Sequence, residues 1–542
     1  MKNVTTLFLL LLSFVLGAQS SLPDDYLPSS FHADRREALR KQMPTGSVAV
    51  FFANPERNRS NDVDYVYHQD PDFYYLTGYK EPNAALLVFS ENQKDENGNT
   101  YNEVLFVQEK NKQAEQWNGY RLGVEGAKQK LGFSKVYNGI EFHDFPIDYN
   151  SFSQVFFHGF HDDYRDSKRN QADLFSLIAA FKNKVNFADY KPPHQAQQNL
   201  YGLIKATEVE NSANVAQTID RYLMRFPELK EDELLTSYAK ADIATRKELK
   251  QKVSLKLEKS SSSIINLQEL GKMMATLREV KTAEELKLLN KAIQISAIGQ
   301  VEVMKAMHPG MSEREIQGIH EFVFKKYGAE YEGYPSIVGG GHNGCVLHYI
   351  DNSKTKVGND LVLMDLGAEY HGYTADVTRT IPANGTFTKE QKEIYDLVYR
   401  AQEAGIAAAK VGNAFGATDQ AAREVINKGL VALGIVKSEA EARQYFPHGT
   451  SHYIGLDVHD AGNYGPLQEN MVITVEPGIY IPENSDCDSK WWGIAVRIED
   501  CILVTKNGPE NLSAGAPRTS EAIEKTMKES SVLNDFVLPT ID

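Results

Sequence analysis

DLVLMDLGAEYHGYTADVTRT, residues 360–380, is an apolar run that ends on a carboxylate and then turns back. Leu361 to Met364 are β-prone, and Asp365 closes the run. Gly367 and Gly372 offer turn positions, and Asp376 follows Asp365 by eleven residues. Strand, turn and returning strand bring Asp365 and Asp376 to one face of a sheet. A lone Asp at a strand end is ordinarily a cap or turn former. Here the preceding run is wholly apolar, and a carboxylate buried there is costly unless a cation or hydrogen bonds offset it.

Working outward, PHGTSHYIGLDVHD (447–460) holds His448, His452 and His459, three of the fourteen histidines within twelve residues. Interleaved with Gly449 and Gly455, they point to a crowded catalytic surface. Glu476 sits in ITVEPGIYI, an apolar strand broken by Pro477 and Gly478, and Glu499 is expected in mid-strand within IAVRIEDC. Arg497, two residues earlier, shares its face; a simple salt bridge between the two is the bland alternative. Asp365, Asp376, His452, Glu476 and Glu499 together make a hard, oxygen-rich donor set. Four carboxylates and one imidazole suit two divalent ions and the hydrolytic chemistry they support. No Gly-x-Ser-x-Gly elbow or His-Glu-x-x-His helix competes, and the glycines 339–341 lack a following Gly-Lys-Ser/Thr. Cys345 lies too close to His348 in sequence for a cysteine-protease arrangement.

Around these motifs the chain reads as α/β. Strand-like runs at 47–53, 84–90, 103–109 and 154–160 alternate with polar and helical stretches, giving a first α/β domain over 22–201. Residues 202–275, rich in Glu, Lys and Leu, read as connecting helices with a serine loop at 260–263. A third region, 276–525, interleaves strands with helices, and 526–542 is a tail. The run 277–307 is an amphipathic helix with a capping-box signal at Thr282 and Glu285.

The chain has 542 residues and a formal charge of −15, and no basic cluster offsets that charge, which argues against nucleic-acid binding. Lys2, the apolar run 7–16 and the small or polar residues 17–20 have the order of a secretory leader over 1–21. That run is too short to span a bilayer, so the expected location is periplasmic or secreted. Cys345, Cys487 and Cys501 allow at most one disulfide, and free thiols are expected.

With these motifs in place, the chain resembles the dimetal pita-bread peptidases (family M24B), and among them the Xaa-Pro aminopeptidases, or aminopeptidase P. The likeness is carried by HGTSHYIGLDVHD and TVEPGIY, by DYVYHQDPDFYYLTGYKEPNAALLV (64–88), by EQWNGYRLG (115–123), by LREVKTAEELKLL (277–289) and by LSAGAPRTSEAIE (512–524). It covers nearly the whole chain after the leader, although the helical stretch 202–275 is longer than the linkers expected in the family.

The resemblance implies an N-terminal creatinase/aminopeptidase P-like α/β domain followed by a pita-bread catalytic domain. It implies Asp376 and Glu499 bridging two metal ions, Asp365 on one, and His452 and Glu476 on the other. Manganese is the first expectation, with zinc and cobalt as alternatives. Glu476 would also relay a proton, using a metal-bridging hydroxide as nucleophile. His348, His448 and His459 would bind substrate and steady the tetrahedral intermediate. Arg497 would orient carboxylates and substrate, with Tyr480 in the same shell. Asp62 and Trp117 resemble positions that approach a neighbouring subunit's site. The implied substrate is a peptide with proline second, and the implied assembly is a homodimer or homotetramer with no membrane span. The rival readings are a prolidase, which takes only dipeptides, and a non-catalytic binding protein on the same fold. A methionine aminopeptidase is disfavoured by the long N-terminal region, and a creatinase-like hydrolase lacks the metal ligands.

Overall fold

The computed structural model describes residues 24–165, 169–185, 187, 192–260, 264–534 and 538. The expected leader, 1–21, lies outside them, as do 261–263 of the serine loop and most of the tail beyond 534. The described chain falls into two units, one comprising 29–273 and the other 24–28 with 274 onward. The first α/β domain was expected to start at 22, whereas residues 24–28 group with the C-terminal unit.

The unit 29–273 is built on one mixed sheet. Its strands are β1 (Ser47–Phe52), β4 (Ala85–Lys94), β5 (Thr100–Val107), β6 (Val136–Asn138), β7 (Gln154–Phe156) and β8 (Ile265–Asn266), in the order β6-β5-β4-β1-β7-β8. A separate hairpin pairs β2 (Asn58–Ser60) with β3 (Val63–Asp64). β4 pairs antiparallel with β1 and β5, while the β1–β7, β5–β6 and β7–β8 pairs are parallel. The strand expected over 154–160 stops at Phe156, and Phe157 and Phe160 pack instead on Phe181 of the helix Leu174–Lys184. Val48, Val50, Leu87, Val104 and Phe106 pack into one core on a sheet that is buried on both faces, with Ala49, Phe51, Leu86 and Leu105 on the other. Aromatic edge-to-face contacts there add to the area term.

The expected connecting helices are a body with a core of their own. The helices Pro192–Ala206, Ser212–Arg225, Glu233–Lys240 and Ile243–Ser260 bury Leu200, Ile204, Ile219, Leu235 and Val253 against one another. Asp232 caps Glu233–Lys240 by accepting from Leu234 N and Leu235 N.

In the C-terminal unit, short strands carry the site and helices cover them. β9 (Tyr331–Glu332), β12 (Ala368–Tyr370) and β13 (Tyr373–Thr374) form one sheet; β10 (Ile337–Gly340), β11 (Leu361–Asp365) and β14 (Thr378–Pro382) form another. β15 (Val472–Val475), β18 (Asp500–Thr505) and β19 (Gly508–Asn511) form a third, and β16 (Gly478–Ile481) pairs with β17 (Ile494–Arg497). The amphipathic run 277–307 starts its helix at Ala283, where Thr282 and Glu285 close the capping box, and ends at Ala306. The helices Lys389–Ala408 and Ala417–Ala432 pack closely together, with Gly429 admitting the Leu397 side chain where a Cβ would stand. The three cysteines are free thiols. No helix among the described residues is long and apolar enough to cross a membrane.

Candidate active site and metal centre

Strand pairing places the acidic residues. β11 runs antiparallel to β14 with Asp365 opposite Thr378, and Asp376 sits two residues before β14. The carboxylates therefore converge although they are eleven residues apart. Glu476 follows β15 directly, and Glu476 N is held by Thr450 O (2.9 Å). Glu499 was expected in mid-strand; it lies in the gap between β17 and β18. There Glu499 N turns aside to Thr378 O (3.1 Å) and Ile498 N to Pro477 O (3.4 Å), which takes both residues out of the β16–β17 and β15–β18 ladders. Arg379, fully buried, fixes the two halves to each other through Asp500 Oδ1 (2.7 Å) and Glu499 O (2.7 Å).

All five predicted ligands line one cavity of about 640 Å³, together with His348, His448, His459 and Arg497. Ligand atoms of Asp376, His452 and Glu499 lie within 4.8 Å of one another. His452 Nε2 stands 3.5 Å from Asp376 Oδ2 and 3.3 Å from Glu476 Oε1. His452 Nδ1 is 3.0 Å from Tyr453 O, which orients the ring so that Nε2 faces the cavity. Arg497 spreads its guanidinium over Asp365 Oδ2 (2.5 Å), Tyr480 Oη (3.0 Å) and Thr378 Oγ1 (3.3 Å). The bland Arg497–Glu499 pair is therefore not the contact made; Arg497 pairs with Asp365.

The cavity polarises its groups in opposite directions. Burial alone would raise the Asp365 carboxyl, but the Arg497 charge together with the hydrogen bonds from Tyr334 and Arg497 outweighs it and holds Asp365 below the usual range. Burial, and next the Asp365 charge, push Asp376 upward. Burial and the Asp376 and Glu476 charges push Glu499 well up. Burial disfavours charge on His452, yet its hydrogen bonds to Asp376 and Glu476 prevail and hold it well above the ordinary value. Burial lowers His448 and His459.

The other expected residues divide. His448 Nε2 meets Tyr480 Oη at 2.8 Å, and Tyr480 reaches Arg497, so these three form one chain of contacts. The His459 ring lies tilted against that of His452, with ring centroids 4.2 Å apart. His348 stands exposed on the cavity wall. Asp62, in the β2–β3 turn, and Trp117, on the helix Lys112–Asn118, are exposed residues of the unit 29–273 and are not among those lining the cavity.

Two residues escaped the reading of the sequence. Tyr334 Oη lies 2.6 Å from both Asp365 Oδ1 and Asp376 Oδ1. Thr378 Oγ1 donates to Glu499 Oε2 (2.6 Å) and accepts from Arg497 Nε. No motif marked either of them; Gly333 beside Tyr334 is required by the close approach of Thr374, whose Cγ2 would stand 2.0 Å from a Cβ there.

The donor set fits divalent cations. Glu499 Oε1 is buried without a hydrogen-bond partner among the described residues, and a buried carboxylate oxygen is costly unless a cation or donor meets it. Four carboxylates crowded with one imidazole match oxygen-preferring divalent ions better than they match each other.

Comparisons with known proteins agree with this geometry. Residues 32–151 match the family described as aminopeptidase P, N-terminal domain, and 287–506 match metallopeptidase family M24. A Xaa-Pro aminopeptidase of Escherichia coli is 32% identical over 506 residues, covering 91% of this chain and 96% of that one. Xaa-Pro aminopeptidase 3 of Homo sapiens is 29% identical over 500 residues, covering 90% and 82%. Among solved structures, aminopeptidase P from E. coli with the inhibitor Pro-Leu matches at TM-score 0.70 and 30% identity, covering 93% of this chain and 98% of that one. A zinc-substituted E. coli aminopeptidase P in complex with product matches equally well.

Proposed function

Because the chain belongs to metallopeptidase family M24, we propose that it removes the first residue from peptides whose second residue is proline. The observation that carries this is the likeness over 91% of the chain to a Xaa-Pro aminopeptidase, which spans the N-terminal domain as well as the catalytic one.

Asp365, Asp376, His452, Glu476 and Glu499 line one cavity and would hold two divalent ions, with manganese favoured by the oxygen-rich set. When bound, such ions acidify water and polarise a carbonyl. The chain's own groups do the rest. Glu476, kept ionised by His452, accepts a proton from the attacking water and returns it to the departing proline nitrogen. That nitrogen carries no hydrogen in the intact peptide, and the ring fixes φ, which is why most peptidases stop there. His459, biased toward the neutral form, lines the same cavity as Glu476 and can donate to the developing oxyanion, whereas His448 spends its N–H on Gly449 O (2.7 Å) and accepts from Tyr480 Oη (2.8 Å), so it shapes the wall that the substrate meets. Arg497 and Tyr480 hold Asp365 and His448 in place. His348 contacts the substrate from the open wall.

The chain works outside the cytoplasm, exported by its leader at 1–21, and assembles as a homodimer or homotetramer in which Asp62 and Trp117 approach a neighbour's substrate. Metal analysis of purified protein, combined with rates on Xaa-Pro-Xaa peptides of increasing length, tests the reading. Turnover of a Xaa-Pro dipeptide alone would instead make it a prolidase. Glu476→Ala abolishes cleavage of an Arg-Pro-Pro peptide; near-normal rates with metal in excess would sink the assignment.

A further inference from the structure

The segment from His452 to Asp460 returns on itself. Asp460 N donates to Tyr453 O (3.0 Å) and Gly455 N to Asp457 O (3.1 Å), and this fold-back brings the His459 and His452 rings together. The His459 ring is exposed and makes no hydrogen bond to another described residue, so its place is set by its own backbone and by the contact with the His452 ring. The next residue, Asp460, is buried and ion-paired on both oxygens. Arg278 meets Oδ1, and Lys281 Nζ meets Oδ2 at 2.7 Å. Lys281 Nζ also donates to Arg278 O (2.5 Å), and Lys281 N to Asn470 O (2.9 Å). Both cations lie where the helix Glu269–Arg278 ends and Ala283–Ala306 has yet to begin.

Gly455 completes the nest. A Cβ there would stand 2.2 Å from Asp460 Oδ2 and 2.9 Å from Lys281 Nζ, so the loop passes over the ions only as glycine. Gly455 O in turn accepts from Thr374 N (2.7 Å), two residues before Asp376.

We propose that Arg278, Lys281 and Asp460 form a buried ionic clamp that sets where the His459 ring stands, which makes them positioning residues for peptide hydrolysis. The proposal rests on the function given above. A buried ion cluster is a poor source of stability compared with apolar packing, but its paired geometry is directional. Asp460 directly follows His459 in the chain, so a shift of the anchored residue moves the backbone from which the imidazole projects.

The test uses the metal-loaded full chain as wild type, K281M, H459A and the double variant, assayed on a Xaa-Pro-Xaa peptide, with a crystal structure of K281M. Lys and Met are close in length, so K281M removes the charge with little change in volume. The expected result is a fall in kcat of roughly 10- to 100-fold for K281M, with KM within about threefold and metal content unchanged. K281M then adds no further loss in the H459A background, K281R restores most of the rate, and the His459 ring is displaced in the crystal. An equal loss from K281M in both backgrounds, or an unmoved ring with an unchanged kcat, overturns the proposal. If K281M does not fold, D460E, which keeps every charge and moves the carboxylate by one methylene, takes its place, and the same outcomes support or overturn the clamp. A wild-type chain that does not cleave such peptides overturns the function alone, and the ring position in K281M then decides the clamp by itself.

Discussion

Asp365 and Asp376 share one phenol: each has its Oδ1 atom 2.6 Å from Tyr334 Oη. A phenol carries a single proton, so it can donate to only one of them. Asp365 is held ionised by Arg497, while burial and the Asp365 charge push Asp376 up to about 7, so the two carboxyls that compete for this proton differ in their hold on charge.

A pH dependence follows for protein stripped of divalent ions by chelation. A raised carboxyl pKa favours folding in the protonated form, so the Asp376 contribution is complete below 3.8 and is lost as pH rises through about 7. The raised His452 and Glu499 act with the same sign, the lowered His448 and His459 oppose them only up to about 6.5, and the lowered Asp365 and Asp460 change only at acid pH. Stripped protein will therefore melt at a lower temperature at pH 8 than at pH 6. Added manganese, which competes with those protons, will raise the melting temperature more at pH 8. Calorimetry at the two pH values checks this, and an increment that is larger at pH 6 would refute it.

Arg497→Lys will lower kcat/KM by roughly 100-fold. Three guanidinium nitrogens serve Asp365, Tyr480 and Thr378 at once, and a lysine ammonium cannot keep that fork. Steady-state rates within threefold of wild type would show that the fork is dispensable.

Gly367→Ala will separate the ligands it lies between. A Cβ at Gly367 would stand 1.7 Å from Ala375 O, a backbone atom that cannot swing away. The expected cost is about 1–3 kcal/mol in urea unfolding, with fewer metal ions bound per chain than in wild type. Full metal content with wild-type stability would contradict it.

Tyr26→Ala will destabilise the chain without touching a ligand. Tyr26 stacks on His371 at 3.6 Å and donates to Glu330 Oε1 (2.7 Å), while Asp25 takes the other ring nitrogen of His371 at 2.9 Å. His371 stands at φ 51, a conformation that needs outside support in a residue other than glycine. Loss of the stack and the charged hydrogen bond costs about 1–3 kcal/mol, read from urea unfolding, with kcat unchanged at 25 °C.

The acidic cluster was legible because its members sit in short motifs punctuated by glycine and proline, where an apolar run meets a charge. Thr378 and Tyr334 were not, since a hydroxyl's partner depends on which strand lies beside it. The placement of Glu499 failed for a related reason: IAVRIED is β-prone throughout, and only the pull of the Thr378 and Pro477 carbonyls removes residues 498–499 from the ladders. Arg278 and Lys281 look like any charged helix start until Asp460, about 180 residues on, comes to lie against them.

β7 and β8 are neighbours in the sheet, with Val155 opposite Ile265, yet the chain between them carries the entire helical body. Closing so long an excursion costs only slightly more than closing a short one, and the buried core of that body shares no residue with the buried core of the sheet. Such a segment is a tenant rather than a wall: its length and sequence can change without re-registering one strand of the sheet.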